Sequence, residues 1–216
     1  VNTLAGLRME EPGVFEHTHR LILPWLRDRT LDGVRVDHVD GLRDPEEYLR
    51  RLRGIAPDAY LIVEKILNEH ECLPNSWPVD GTTGYEFARL LDQVFVDKEG
   101  EVPMTEFVAR FADQSTPFSE MVRDAKLQIL REVLASEREH LVDQTHRMLT
   151  RRIELRDCTR RTVHAAITAL LASYPVYRTY LRRGQPAPAH DVEMIDNVVA
   201  RAAELAPAVE SQVWDV

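Results

Sequence analysis

The sequence predicts an α/β fold, in which one strand–helix–strand unit is followed by a region made almost entirely of helices. Residues 34–39 and 60–66 have the composition of strands, and a helix with strong start signals lies between them. After about residue 103, strand patterns almost vanish and helical patterns replace them. The 216 residues are enough for one large domain or two small ones.

Each element of the strand–helix–strand unit has its own local signal. In the first strand valines alternate with polar residues, whereas the second, residues 60–66, is mostly apolar, as in a parallel sheet buried on both faces. The helix between them is predicted to begin at an Asp44 N-cap followed by Pro45. An earlier helix is predicted over residues 12–29, and Pro24 is expected to kink or end it.

The later helices are predicted from capping residues and apolar periodicity. After a loop over residues 68–82, Thr83 is expected to cap a helix with Glu86 as its capping-box partner. A short extended segment is predicted over residues 174–180. Four further helical segments are predicted over residues 103–114, 117–156, 158–173 and 190–205, of which the second is too long for a single uncapped helix.

Composition argues against several kinds of partner. The net charge of −9 and the pI of about 5.4 speak against a nucleic-acid surface and a polybasic membrane patch, and favour a neutral or small polar substrate. Cys72 and Cys158 have no metal-ligand spacing and are expected to be free thiols in a reducing cytoplasm. The chain begins at Val1 without a signal peptide, and no apolar run approaches the ~20 residues of a membrane span. We therefore expect a cytoplasmic protein of which this chain is one part.

Two carboxylates lie where an α/β barrel carries its reacting groups, at the carboxyl ends of strands. Asp37 and His38 end the first predicted strand, and Glu64 and Lys65 follow the apolar run of the second. Adjacent parallel strands lie ~4.8 Å apart, so the two carboxyl groups can reach the ~5–5.5 Å separation of a retaining glycosidase pair. The alternative interpretation is that Asp37 and Glu64 are ordinary charged residues at strand ends, without a catalytic role.

The residues around the two carboxylates suggest a different catalytic role for each of them. Arg35 is two residues before Asp37, so it points to the same face of the strand and would keep Asp37 ionised, as a nucleophile must be. The apolar run before Glu64 would desolvate this side chain and favour the protonated form that a general acid needs. No metal or other cofactor is expected, because the histidine pair at residues 17 and 19 and the Asp-His-Asp cluster at residues 37–40 point their side chains in different directions.

Five sequence motifs, in order along the chain, resemble maltooligosyl trehalose synthase, a branch of the α-amylase superfamily. DGVRVDHVDGL at residues 32–42 resembles the nucleophile strand of the superfamily, and LIVEKIL at residues 61–67 resembles its acid/base strand. WPVDGTTGYEF at residues 77–87 is the motif most specific to this branch. The branch is also matched by VNTLAGLR at residues 1–8 and YPVYRTY at residues 174–180.

The resemblance implies a partial (β/α)8 barrel segment over residues 1–96, followed by a mostly helical inserted subdomain over residues 97–216. It also implies an isomerase of trehalose biosynthesis, which turns the reducing-end α-1,4 bond of a maltooligosaccharide into an α,α-1,1 bond. In that reaction Asp37 would be the nucleophile and Glu64 the acid/base. The expected substrate-binding residues are Arg35, His38, Lys65, Trp77 and Tyr85, although Trp77 and Tyr85 could equally pack their loop.

The chain also departs from the family pattern. A third catalytic carboxylate lies in the motif His-Asp-Thr-Lys-Arg in this family, and this sequence does not contain that motif. The early barrel strands of the family are missing as well. We therefore expect a central fragment that is inactive in isolation. Two alternatives stay open: an α-glucan hydrolase of the same superfamily, and a non-catalytic helical module on an incomplete barrel.

Overall fold

The computed structural model of the chain describes residues 6–68, 71–182 and 184–214. The chain divides into two units, Val1–Lys98 and Glu99–Val216. The first unit contains a small parallel sheet with helices, and the second contains helices. The predicted α/β class is therefore confirmed.

Three parallel strands form the sheet of the first unit, in the order β1-β2-β3. β1 (Gly33–Val36) pairs along its whole length with β2 (Tyr60–Val63), and β2 pairs with the two-residue β3 (Gly81–Thr82). The parallel pairing of the first two strands confirms the predicted strand–helix–strand unit. β3 was not predicted, because a Gly-Thr pair carries no strand periodicity.

The predicted helix over residues 12–29 consists of two helices, α1 (Pro12–His19) and α2 (Ile22–Arg27). The break lies at residues 20–21, and Pro24 is inside the first turn of α2. Pro24 has no N–H to offer the carbonyl four residues earlier and its ring crowds that carbonyl, so the interruption falls before the proline and not at it.

Helix α3 (Pro45–Ile55) connects the first two strands and begins where the sequence predicts. The Oδ1 atom of Asp44 accepts a hydrogen bond from the backbone N–H of Glu47 at 3.0 Å, which satisfies one of the free donors of the first turn. On the inner face of the helix, Leu49 and Leu52 are buried. The core of this unit also contains Val39, Leu61 and Val63.

Helix α4 (Tyr85–Gln93) is capped differently from the prediction. Its N-cap is Gly84, which has a φ of 87°, a left-handed conformation that glycine adopts without steric cost. The hydroxyl that contacts Glu86 belongs to Thr82, and this oxygen also accepts the N–H of Gly84 at 3.1 Å. The capping role predicted for Thr83 was therefore wrong by one residue.

The second unit consists of five α-helices joined by turns in the described part of the chain. The helical segment predicted over residues 117–156 consists of two helices, divided at residues 133–134, and it ends earlier than expected. Residues 174–180 form no strand in the structure. The helices are α5 (Glu101–Phe111), α6 (Phe118–Glu132), α7 (Ala135–Leu149), α8 (Arg160–Ser173) and α9 (Ala189–Leu205).

A small apolar cluster holds α7 and α8 together. Val142, Leu149 and Val163 are fully or almost fully buried, and Leu155, Cys158 and Ile167 pack against them. Both Cys72 and Cys158 are free, as the sequence predicts. Among the helices that the structure describes, none combines the length and the apolar character needed to cross a membrane.

Candidate active site

The two candidate carboxylates lie at the same edge of the sheet. β1 and β2 end at Val36 and Val63, which are register partners, and Asp37 and Glu64 follow these partners directly. The backbone N–H of Glu64 donates to the carbonyl of Val36 at 2.8 Å, so the parallel pairing continues up to this residue. The sheet therefore brings the two carboxylates to equivalent positions on neighbouring strands, as the sequence predicts.

One guanidinium joins both carboxylates. Arg35 Nη1 lies 2.8 Å from Oδ1 of Asp37, which is the predicted contact, and its Nη2 lies 3.1 Å from Oε1 of Glu64. A planar guanidinium presents its donors in a fixed fork, so it can hold two acceptors at once in a defined geometry. The second contact, to Glu64, was not part of the sequence prediction.

The second oxygen of Glu64 is held by the main chain. The backbone N–H of His38 donates to Oε2 of Glu64 at 2.9 Å. His38 can do this because its backbone is left-handed, with φ 45° and ψ 50°, a conformation in which histidine is found more often than most residues. The side chain of Glu64 keeps 24% of its surface exposed, and that of Asp37 keeps 70%. Glu64 is thus the less exposed of the two carboxylates, although its side chain is not fully removed from water.

Gly41 leaves room for the ring of His38. A Cβ atom on Gly41 would lie 2.6 Å from Cδ2 and 2.9 Å from Nε2 of that ring, closer than real Cβ contacts come. The glycine belongs to a 3-10 turn, Val39–Gly41, which directly follows Asp37 and His38. A larger residue here would push the imidazole away, so the turn sequence is part of the site.

Lys65 lies in a different place from the one expected of a substrate-binding residue. Its side chain has no exposed surface, and its Nζ lies 2.6 Å from Oε1 of Glu71 and 3.5 Å from Oδ2 of Asp40. Successive side chains of an extended backbone alternate between its two faces. Lys65 therefore lies on the opposite face from Glu64. The expectation of a contact with substrate is corrected accordingly: in this structure Lys65 is an internal ion-pair residue.

The two aromatic candidates differ from each other. Trp77 is 5% exposed, which corresponds to the packing alternative and not to stacking on a sugar ring. Tyr85 begins α4 and is 45% exposed, so its ring is accessible to a ligand. The substrate-binding expectation for Trp77 is thus corrected, and that for Tyr85 stays a prediction.

Of the two histidines of α1, His19 contributes to the core, whereas His17 is exposed. His19 is buried; its Nδ1 lies 2.8 Å from the carbonyl of Phe15 and its Nε2 lies 2.7 Å from the hydroxyl of Tyr48. Burial raises the pKa of Tyr48 to about 12, so this hydroxyl stays protonated. Within residues 6–68, 71–182 and 184–214, no group of three or more His, Cys, Asp and Glu side chains could hold a metal ion.

Comparison with known proteins gives a consistent set of relatives. A protein of Mycobacterium tuberculosis named as a maltooligosyl trehalose synthase is 42% identical over 138 residues, which are 63% of this chain and 18% of that protein. The solved maltooligosyltrehalose synthase of Arthrobacter ramosus is 38% identical, with a TM-score of 0.78 over 99% of this chain. A Sulfolobus tokodaii protein described as a hypothetical maltooligosyl trehalose synthase is 30% identical, with a TM-score of 0.73 over 96% of the chain. No family model matches the chain.

The chain matches only one part of the length of these relatives. The chain covers 26% of the Arthrobacter ramosus structure and of the Sulfolobus tokodaii structure, and 18% of the curated relative. The resemblance that the sequence motifs predicted is confirmed over this part. In sequence and in fold, the chain is thus similar to one stretch of the maltooligosyl trehalose synthases, about a quarter of their length in the solved structures.

Proposed function

We propose that the polypeptide that carries this chain converts the reducing-end α-1,4 bond of a maltooligosaccharide into an α,α-1,1 bond, as an isomerase of trehalose biosynthesis. The observation that carries the proposal is the single Arg35 guanidinium between Asp37 and Glu64, at the ends of two paired parallel strands. Carboxylates in this position suit a double displacement at one sugar carbon. The likeness to maltooligosyl trehalose synthases supports the choice of substrate.

The two carboxylates divide the reaction between them. Asp37 attacks the anomeric carbon of the glucose unit before the reducing end, and Glu64 gives a proton to the departing oxygen. A covalent glucosyl enzyme forms, and the released glucose stays bound. Glu64 then takes the proton from the anomeric hydroxyl of that glucose, whose oxygen displaces Asp37 and forms the α,α-1,1 bond. The two inversions leave the configuration at the attacked carbon unchanged.

The neighbouring groups position these carboxylates. Arg35 compensates the charge of Asp37 and fixes its orientation, while the His38 N–H holds the second oxygen of Glu64. Fixed donors of this kind need no rearrangement during the reaction. The His38 imidazole and the exposed ring of Tyr85 are proposed to contact the sugar.

We place this chemistry in a (β/α)8 barrel, of which residues 1–96 would form a part and into which residues 97–216 would be inserted as a helical subdomain. The parallel order of the three strands and the helical second unit support this arrangement. A maltooligosaccharide is the proposed partner, and the acidic net charge speaks against binding to nucleic acid or membrane. The two free cysteines support a location in the reducing cytoplasm.

The exposure of Asp37 favours a second candidate, an α-glucan hydrolase, because water that reaches the covalent intermediate would hydrolyse it. Incubation of the full-length polypeptide with maltopentaose separates the two reactions. A synthase removes reducing ends without releasing glucose or shorter maltooligosaccharides as main products. A hydrolase increases the number of reducing ends. If neither change occurs with a folded full-length protein, both functions are wrong.

A further inference from the structure

We infer that Lys65 is a positioning residue, whose buried ammonium group fixes the turn after β1 relative to the loop after β2 and thereby holds the hydrogen bond between His38 and Glu64. The inference rests on the proposed function only for its kinetic consequence. Its structural part concerns contacts within the first unit and can be tested without any assay of activity.

The ammonium group lies between two carboxylates from different loops. Asp40 belongs to the 3-10 turn Val39–Gly41, three residues after Asp37, and Glu71 belongs to the loop that follows Glu64. The side chains of Asp40 and Glu71 are only 10% and 12% exposed, and that of Lys65 is 0% exposed. One cation therefore lies between two nearly buried anions, which belong to the turn after β1 and to the loop after β2.

The contacts continue from this ion cluster to the reacting carboxylate. The turn that carries Asp40 is closed by the N–H of Gly41, which donates to the carbonyl of His38 at 3.0 Å. The N–H of His38 in turn donates to Glu64, the residue next to Lys65. A shift of Asp40 would thus move His38, and with it the donor that orients Oε2 of Glu64.

Glu71 connects the loop after β2 to the same ammonium group. The Oε2 atom of Glu71 accepts the backbone N–H of Asn68 at 3.2 Å, and the N–H of Glu71 donates to the carbonyl of Asn68 at 3.1 Å. The Oε1 atom of the same carboxylate contacts Lys65. Loss of the ammonium group would remove a cation that lies beside two nearly buried carboxylates, and buried charges that lose a counter-charge become protonated or move towards water.

The experiment compares Lys65→Met with the triple variant D40N/K65M/E71Q in the full-length polypeptide. Methionine keeps the unbranched shape of the lysine side chain but removes its charge. The triple variant removes all three charges together, so that no buried charge is left without its counter-charge. Leu49→Ala is the control for a general loss of stability, because Leu49 is fully buried in α3 and its side chain carries no charge. The readouts are thermal stability, kcat and KM for maltopentaose, and hydrogen exchange of the His38 amide.

Lys65→Met should lower kcat about a hundredfold with little change in KM, since a displacement of about 1 Å can have this effect. Exchange of the His38 amide should become at least about tenfold faster, which corresponds to a weakened hydrogen bond. The triple variant should recover thermal stability but keep the low kcat and the fast exchange. Leu49→Ala should lose stability and keep both kcat and slow exchange of His38.

Three results would overturn the inference. A triple variant with normal kcat and normal His38 exchange would mean that the cluster only stabilises the fold. A raised KM with normal kcat in Lys65→Met would return Lys65 to the substrate-binding role expected from the sequence. Unchanged His38 exchange in both variants would remove the connection to Glu64. If the unaltered protein does not act on maltopentaose, the proposed function fails, but the exchange measurements still decide the role of Lys65.

Discussion

Arg35 reaches Glu64 across two paired strands, with its Nη2 atom 3.1 Å from Oε1 of the carboxylate, while its Nη1 atom stays on Asp37. Spacing along one strand predicts only the contact within that strand. The contact across the strands arises because the parallel register sets Arg35 beside Ile62, two residues before Glu64. A single side chain can therefore fix the relative position of the proposed nucleophile and the proposed acid/base.

Replacement of Arg35 by lysine should lower kcat about tenfold to a hundredfold in the full-length polypeptide. An ammonium group is a compact point charge and cannot hold two carboxylates with a planar fork, so one charge-assisted hydrogen bond is lost. Arg29→Lys is the matched control, since Arg29 forms an exposed ion pair with Asp58. Steady-state kinetics with maltopentaose measure the effect. An Arg35→Lys variant with unaltered kcat would show that the bridge is not needed for the reaction.

Replacement of Asp37 by asparagine should abolish turnover and leave the fold intact. The amide has almost the same shape but cannot form the covalent intermediate. Because the side chain is 70% exposed, the change in the free energy of unfolding should stay within about 0.5 kcal/mol. Asp58→Asn, at an exposed position outside the site, is the control and should keep full activity. Product analysis and circular dichroism check both statements, and normal turnover by Asp37→Asn would remove this residue from the mechanism.

Local signals were sufficient to predict the part of the fold that carries the carboxylates. The Asp44 cap, the alternation in β1 and the apolar run of β2 each depend on neighbouring residues, and their joint pattern predicts parallel pairing. The contact between Arg35 and Asp37 follows from the same alternation. These features could be predicted because the physical cause lies within a few residues of the effect.

The features that the sequence did not predict depend on the main chain or on distant partners. β3 exists because Asp80 and the residues after it pair with β2, although Gly81-Thr82 has no strand pattern of its own. The donor to Glu64 is the backbone of His38, which no side-chain motif indicates. The length of the 117–156 segment indicates more than one helix, but the interruption between α6 and α7 contains neither glycine nor proline, so the sequence does not show where the segment divides.

Lys65 illustrates a misleading motif. A lysine next to a candidate catalytic carboxylate suggests contact with the substrate, but the side chain of Lys65 has no exposed surface. Its partners lie 25 residues before and six residues after it, as the numbers of Asp40 and Glu71 show. The pairing of a lysine with carboxylates at such distances depends on the tertiary fold and could not be inferred from spacing.

The 216-residue chain in isolation should not convert maltopentaose. The motif that carries the third catalytic carboxylate of the family is absent from this sequence, and Asp37 is largely open to water in the structure. A substrate that is not enclosed is neither held in attack geometry nor protected from hydrolysis. Loss of reducing ends should stay at the level of the Asp37→Asn chain. Sustained turnover by the monomeric chain, above that background, would show that these residues form a sufficient active site.

Asp80 should contribute to stability through the placement of β3. Its Oδ2 atom accepts hydrogen bonds from the Leu61 N–H at 2.7 Å and from Arg53 Nη2 at 2.8 Å, and its own N–H donates to the Leu61 carbonyl at 2.8 Å. The hydrogen bond from the Leu61 N–H has the largest effect in holding the pKa of this carboxyl below its ordinary value. The hydrogen bond from Arg53 acts in the same direction. Asp80→Asn removes the charge and keeps the shape, so it separates the electrostatic contribution from that of packing.

The pH dependence of the Asp80 contribution follows from the direction of its pKa shift. A carboxyl with a lowered pKa in the folded state stabilises the fold above its unfolded pKa of about 3.9, and this stabilisation is lost as the pH falls through the folded value. At pH 7, Asp80→Asn should therefore lower the free energy of unfolding by about 1 kcal/mol, a modest figure because the side chain is 39% exposed. Below about pH 4 the difference from the unaltered chain should shrink as Asp80 itself becomes protonated. Urea unfolding followed by tryptophan fluorescence measures both quantities, with Asp58→Asn as the exposed control. An equal difference at both pH values would mean that the charge of Asp80 does not stabilise the sheet.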